Sequence, residues 1–186
     1  MFDKKYTDIM IDIETVDTKP TAGILSIAAV PFDIDSDRTY HLPYYDMLEI
    51  HKQIACGRSM SLDTMLWWTK QNEEARKEAF SGYKKLHHSL ADLRLFIKEK
   101  CIEGVRVWAN SPSFDLAILK NAVEAQKDFY NADSFWKYWQ ERDVRTYANI
   151  FPSEIDKLEL KATHLPVQDC LDQILKVRTI YTRIHT

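Results

Sequence analysis

Glycine is scarce, at four residues in 186. No glycine-rich phosphate loop is present, so the P-loop and dinucleotide fingerprints are absent. Cysteine is scarcer still. Cys56, Cys101 and Cys170 are odd in number, scattered and without metal-site spacing. That argues against a disulfide scaffold and for a reducing compartment. A long apolar run is also missing: nothing approaches the roughly 20 residues of a bilayer span. Met1-Phe2-Asp3-Lys4-Lys5 lacks the apolar stretch of a signal peptide, so the cytoplasm is the expected compartment and no membrane partner is expected. No excess of charge of one sign exists either. The 25 basic and 28 acidic residues leave a net charge of −3. Bulk electrostatic binding to nucleic acid is therefore not written into the composition, although acidic residues gathered at a metal site can mask a local basic rim.

Aromatic residues are plentiful: 5 Trp, 9 Tyr and 8 Phe. Hydrophobic residues make up 45% and charged residues 28%, ordinary for a globular chain. The length fits one core, and no repeat, low-complexity segment or linker divides it. Residues 1–186 read as a single domain.

Residues 7–13 (TDIMIDI) alternate, with Ile9, Ile11 and Ile13 on one face of a strand. Residues 23–31 (GILSIAAVP) form a second, nearly continuous apolar strand, and residues 38–45 a third. Three strands with short turns predict an antiparallel meander. The period then becomes helical. Ser61 is the expected N-cap of a helix through Thr69, residues 72–80 form a short helical run, and a longer helix leads to Gly104. A short buried strand follows at residues 105–109. Ser113 is the expected N-cap of a helix at 114–126. Residues 142–150 read as a strand and a helical turn. The last helix starts near Pro166, with Val167, Leu171, Ile174 and Leu175 on its apolar face. The order predicts an α/β fold, a mixed sheet flanked by helices.

Asp12 and Glu14 stand at i and i+2 at the end of the first strand, so both side chains leave one face. Two adjacent carboxylates repel and call for a cation. Taken alone, the pair reads as solvated strand-end charge. Asp115 falls in the first turn of a helix after a strand, where a helix-dipole role is the plain reading. His164 and Asp169 flank the start of the last helix, and each alone reads as surface chemistry. The set is far more specific than its members.

Together the motifs Ile11-Asp12-Ile13-Glu14-Thr15, Trp108-Ala109-Asn110-Ser111-Pro112-Ser113-Phe114-Asp115 and His164-Leu165-Pro166-Val167-Gln168-Asp169 resemble the DEDDh 3′–5′ exonucleases of the DnaQ-like superfamily. The His-x4-Asp spacing separates that branch from its tyrosine-bearing sibling. Thr18-Lys19-Pro20, Leu66-Trp67-Trp68, Glu74-Ala75-Arg76 and Arg142-Asp143-Val144-Arg145-Thr146 are similar to a bacterial and phage subgroup. It contains phage exonuclease A and a mycobacterial 3′–5′ exoribonuclease.

The resemblance implies a ribonuclease H-like fold with a five-stranded mixed sheet and a central first strand. It implies two Mg²⁺ or Mn²⁺ ions held by Asp12, Glu14, Asp115 and Asp169, with Asp12 bridging both. Those four residues and His164 form the implied catalytic set, with His164 as general base. Its substrate is then the 3′ end of single-stranded RNA or DNA, cut to nucleoside 5′-monophosphates. Thr15, Asn110, Ser111, Phe114 and Arg145 become candidate substrate contacts; Arg145 can equally pair with a carboxylate. Trp67 and Trp68 are candidates for base stacking. Adjacent helix positions face apart, so one of the two belongs in the core; Trp68 is assigned to the substrate. A homodimer is left open, with residues 129–139 as a candidate surface. A phage-encoded chain would act in the host cytoplasm. Two rivals stand beside this reading: a catalytically silent nucleic-acid-binding member of the fold, and a hydrolase of very short oligonucleotides, which suits the weak negative charge.

Overall fold

Isoleucine at every second position gives the strand Tyr6–Thr15 (β1) one apolar face, and nearly every residue of the strand is buried. The computed structural model describes residues 4–126 and 135–186. After β1 come β2 (Ile24–Phe32), β3 (Tyr44–Met47), α1 (Ile50–Ala55), α2 (Leu62–Trp68), α3 (Glu73–Ala79) and α4 (Leu86–Lys100). Next are β4 (Cys101–Ala109), α5 (Asp115–Ala125), a 3₁₀ turn (Tyr138–Gln140), β5 (Glu141–Asp143), α6 (Val144–Ala148), α7 (Pro152–Asp156) and α8 (Pro166–His185). The sheet order is β3-β2-β1-β4-β5. β1 pairs antiparallel with β2 and parallel with β4, and β5 runs parallel to β4. The sheet is thus mixed and five-stranded with β1 at its centre.

Ile9, Ile11 and Ile13 point into one core with Ile24, Ile27 and Val107, covered by Leu90, Leu93 and Ile97 of α4 and Leu116 and Leu119 of α5. Met10 points the other way, with Ala28, Val30 and Trp108, onto Cys170, Ile174 and Val177 of α8. Period-2 alternation therefore sends Asp8, Asp12 and Glu14 to the α8 face of the sheet. That parity sets where the chemistry sits.

Ser61 caps α2, accepting from the Thr64 amide, and Asn72 and Asp143 cap α3 and α6 in the same way. Each such cap contributes about 1 kcal/mol. Ser113 does not cap α5. Its hydroxyl pairs with that of Ser111, and Phe114 occupies the cap position. Of residues 38–45, only the last two belong to a strand, because β3 starts at Tyr44. β4 starts earlier than the apolar run suggests, directly after α4. Gly104 does not end a helix but lies within β4 at φ +83, where the register against β1 shifts between Cys101 and Arg106.

The apolar face of α8 also differs from expectation. Leu171 and Leu175 are exposed, and the sheet receives Cys170, Gln173, Ile174, Val177 and Ile180. The helix must bring Asp169 to the edge of the sheet, and that rotation turns the two leucines outward. Of residues 129–139, those at 129–134 lie outside the described set. Tyr138 and Trp139 are exposed.

Candidate active site

β1 ends beside the start of α5 and the start of α8, and a cavity of about 690 Å³ opens there. Asp12, Glu14, Asp115, His164 and Asp169 all line it, although they come from three distant parts of the chain. Parallel β4 carries the chain up to the same edge as β1, and the loop after it delivers Asp115 in the first turn of α5. The Ser111 amide donates to Asp115 Oδ2 at 3.4 Å. A register shift between Glu14 and Thr15 bends β1 where it meets the cavity.

Asp169 holds the loop that carries His164. Its Oδ1 accepts from the Thr163 amide at 2.9 Å and the Thr163 hydroxyl at 3.0 Å. Its Oδ2 accepts from the His164 amide at 2.9 Å. His164 has φ 57, a left-handed conformation that costs a non-glycine residue roughly 1–3 kcal/mol. Three hydrogen bonds to one carboxylate offset that strain. The imidazole Nδ1 lies 3.7 Å from Glu14 Oε1, a charge contact longer than a hydrogen bond. Trp67 meets the ring edge-on, with centroids 4.8 Å apart.

The electrostatics are lopsided. Burial, then the charges of Asp115 and Glu14, pushes the Asp12 carboxyl well above the usual carboxylate range. Burial also raises Glu14, only partly countered by His164. Asp115 is pushed up to about 7, chiefly by burial and against its backbone donors. His164 is raised by the Glu14 carboxylate, against the effect of burial. Buried like charges with too few partners are costly without a cation. Glu14, His164 and Asp169 offer ligand atoms within 4.8 Å of one another. Carboxylate oxygens in this number suit a hard divalent ion, so the donor set fits one.

Among the candidate substrate contacts, Thr15, Asn110, Ser111, Phe114 and Arg145 line the cavity. Thr15 uses its hydroxyl internally, on the Asp17 carbonyl. Among the described residues no ion pair engages the Arg145 side chain. Trp68 is a correction. It is 1% exposed, packs with Val16, Leu25 and Ala79, and donates its indole N–H to the Thr15 carbonyl at 2.9 Å. Trp67, one position earlier, is the tryptophan on the cavity wall. Facing apart is what adjacent helical positions require; burial decided which of the two turned inward.

The cavity also brings in Thr18, from the Thr18-Lys19-Pro20 stretch, and Thr64, Lys161, Lys176 and Gln173, which no motif marks. Gln173 had one visible signal: an amide in the stripe formed by Cys170, Ile174 and Val177, four residues after Asp169. The lysines had none, because a surface lysine looks alike wherever it stands. Among the described residues, no helix is long and apolar enough to cross a membrane.

Known proteins share this fold. An exodeoxyribonuclease of Enterobacteria phage T4 is 22% identical over 92% of this chain and 87% of its own. An Escherichia coli exonuclease I solved with single-stranded DNA and zinc superposes with a TM-score of 0.68 at 12% identity. That match covers 97% of this chain and 41% of the exonuclease I chain. The chain thus spans about two-fifths of the length of that enzyme. The RNase domain of yeast Pop2 matches with a TM-score of 0.58 at 13% identity, over 98% of this chain and 80% of its own. These likenesses show the ribonuclease H-like fold. A family match then covers residues 7–181, from the first residues of β1 nearly to the end of α8, and through it the chain belongs to the 3′-5′ exoribonuclease Rv2179c-like domain family and is a 3′–5′ exonuclease.

Proposed function

We propose that residues 1–186 form one catalytic domain that removes nucleotides from the 3′ end of single-stranded RNA or DNA, with two divalent cations and His164 as general base. One observation carries this: four carboxylates and a histidine converge on a single cavity, and burial raises three of the carboxylates that a cation would settle. Asp12, Glu14, Asp115 and Asp169 are the residues to hold Mg²⁺ or Mn²⁺. When bound, such cations supply the positive charge that steadies the attacking and leaving oxygens of an in-line phosphoryl displacement.

The chain's own residues do the rest. Hard cations favour the carboxylate oxygens, which leaves the His164 imidazole for the proton. His164 takes a proton from the water that attacks phosphorus. The bond from phosphorus to the 3′-oxygen of the upstream nucleotide breaks. The departing nucleotide keeps its phosphate as a nucleoside 5′-monophosphate, and the leaving 3′-oxygen takes a proton from solvent to end the upstream strand in a new 3′-hydroxyl. Asp169 keeps His164 in its left-handed pose through the Thr163 and His164 amides. Trp67 braces the ring edge. Arg145, Lys161 and Lys176 line the cavity as candidate contacts for the strand's phosphates. Asn110, Ser111, Phe114 and Thr15, on the same cavity, are the candidates to meet the terminal sugar and base.

The family description speaks for RNA and the phage relative's name for DNA. The assembly is left to measurement, with a homodimer as one outcome. The cytoplasm, a host's if the chain is phage-encoded, is the proposed compartment; Cys56, Cys101 and Cys170 are unpaired, which suits it. A second reading, hydrolysis of very short oligonucleotides, draws on the cavity's size, which is that of a small-molecule pocket.

The test uses 5′-labelled single-stranded RNA and DNA of matched sequence and several lengths, with Mg²⁺, Mn²⁺ or EDTA. A ladder shortening from the 3′ end, abolished by EDTA and by Asp12→Ala, is the expected result. Activity that survives both removes the metal reading. Binding without cleavage points to a silent nucleic-acid-binding protein. Cleavage confined to the shortest strands selects the second reading.

A further inference from the structure

Gln173 is more than nine-tenths buried and sits on the cavity wall, on the face of α8 turned to the sheet. Its neighbours in that stripe are Cys170, Ile174 and Val177, where a leucine or valine would pack without polar cost. Its Nε2 donates to Asp12 Oδ1 at 2.8 Å. Its Oε1 is buried and, among the described residues, has no hydrogen-bond partner. An orphaned buried acceptor forfeits its hydration, and native chains keep few of them. The amide turns its N–H to Asp12, the orientation that the ionised carboxylate of a cation-holding Asp12 requires. An ionised carboxylate only accepts, so the amide must show Asp12 its N–H, and its carbonyl must point elsewhere.

We propose that Gln173 is a positioning residue for Asp12, and that its buried carbonyl oxygen accepts a hydrogen bond from a hydration water of a divalent cation held by that carboxylate. The inference rests on the cation reading above. An amide alone meets both demands. A leucine would leave Asp12 Oδ1 without its donor. A glutamate would offer an acceptor but set another like charge against Asp12. A lysine would neutralise Asp12 and compete with the cation. Partners of this kind orient metal ligands and commonly change metal affinity by about 10–100-fold when replaced.

The experiment titrates Mn²⁺ into the metal-free full chain by calorimetry and records its melting temperature, for wild type, Gln173→Met, Gln173→Glu and Asp12→Asn. Gln173→Met fills similar space without donor or acceptor. It is expected to weaken Mn²⁺ binding about tenfold or more. At the same time the metal-free melting temperature holds or rises, because the orphaned oxygen is gone. Opposite signs in the two readouts separate positioning from plain structural support. Gln173→Glu is expected to melt lower than wild type without metal and to gain more from saturating Mn²⁺. Wild-type affinity in Gln173→Met overturns the proposal, as does parallel loss of affinity and metal-free melting temperature in both variants. If Gln173→Met does not fold, Gln173→Glu decides, and a metal-free melting temperature equal to wild type there overturns it. Should wild type and Asp12→Asn both ignore Mn²⁺, the cation reading falls and takes this inference with it. Loss of binding in Asp12→Asn alone leaves that reading standing and removes only Gln173.

Discussion

Asp8 and Asp12 stand four residues apart on β1, on the same face, and both are buried. Asp8 is fully matched. Arg106 Nε and Nη2 each donate to it at 2.6 Å, the Trp108 indole donates at 2.8 Å, and the Ile34 amide at 3.3 Å. Beside it Asp33 takes Arg38 at 2.8 Å and the Thr7 amide at 2.9 Å. Burial raises Asp33, but Arg38 and Thr7 outweigh it and hold the carboxyl below its ordinary range. Among the described residues, Asp12 has the Gln173 amide and no cationic side chain paired with it. Its other close neighbours are carboxylates, and its acidity moves the opposite way. One end of the strand uses buried charge to lock the sheet to the β2–β3 connection. The other leaves buried charge unmatched, at a cost in stability that functional sites commonly carry.

Substitutions at the two ends should therefore separate activity from stability. The largest effect belongs to Asp12→Asn. Cleavage of a labelled oligonucleotide should fall about a thousandfold or more, since losing cation charge removes several kcal/mol from the transition state. The metal-free protein should melt no lower than wild type. A loss below tenfold would erase the contrast. Asp8→Asn should do the reverse. It strands Arg106 and should lower stability by about 3 kcal/mol in urea unfolding, at the low end of the range for a broken buried pair because Arg106 is part-exposed. Its folded fraction should keep cutting. His164→Gln comes next, with kcat reduced about a hundredfold and Mn²⁺ binding retained. Unchanged turnover would move the proton elsewhere.

The smallest effect is a difference in pH slope. Asp115 holds its proton up to about 7 in the native state, against an ordinary value of 3.8. Between those values the folded chain binds more protons than the unfolded one, so metal-free stability should fall as pH rises from about 4 to 7. Asp115→Asn should flatten that slope in thermal melts, and saturating Mg²⁺ should do the same in wild type. Asp33 acts with the opposite sign. Its contribution is complete above 3.8 and fades as pH drops through its lowered native value. A slope in wild type that Asp115→Asn leaves in place would detach it from the site.

Much of this molecule is legible in one dimension. Alternating isoleucines identify β1 and its parity, so the shared face of Asp12 and Glu14 follows from period alone. Ser61 and Asn72 announce their helices because capping is a local hydrogen bond. Pro166 opens α8 because its fixed φ and missing N–H suit a first turn. The motif spacing pointed to the five residues that the cavity gathers. Local rules failed where two elements competed. Ser113 looks like a cap, yet the turn made by the Ser111 carbonyl takes Phe114 there. Leu171 and Leu175 look like core, yet Asp169 fixes the rotation of α8 and turns them out.

The sequence by itself determined the parity of β1, the α/β class and the shared face of Asp12 and Glu14, since these depend on periodicity; the central place of β1 and the candidate site set came through the resemblance that the motifs carry. Only the tertiary structure decided that Trp67 faces the cavity while Trp68 supports Thr15. The same is true of the left-handed His164 held by Asp169, and of Gln173 meeting Asp12 across 161 residues. The physical reason is common to all three. Which side of a residue is buried, and what it meets there, is set by elements that share no local signal and come together only when the sheet and α8 close on one another.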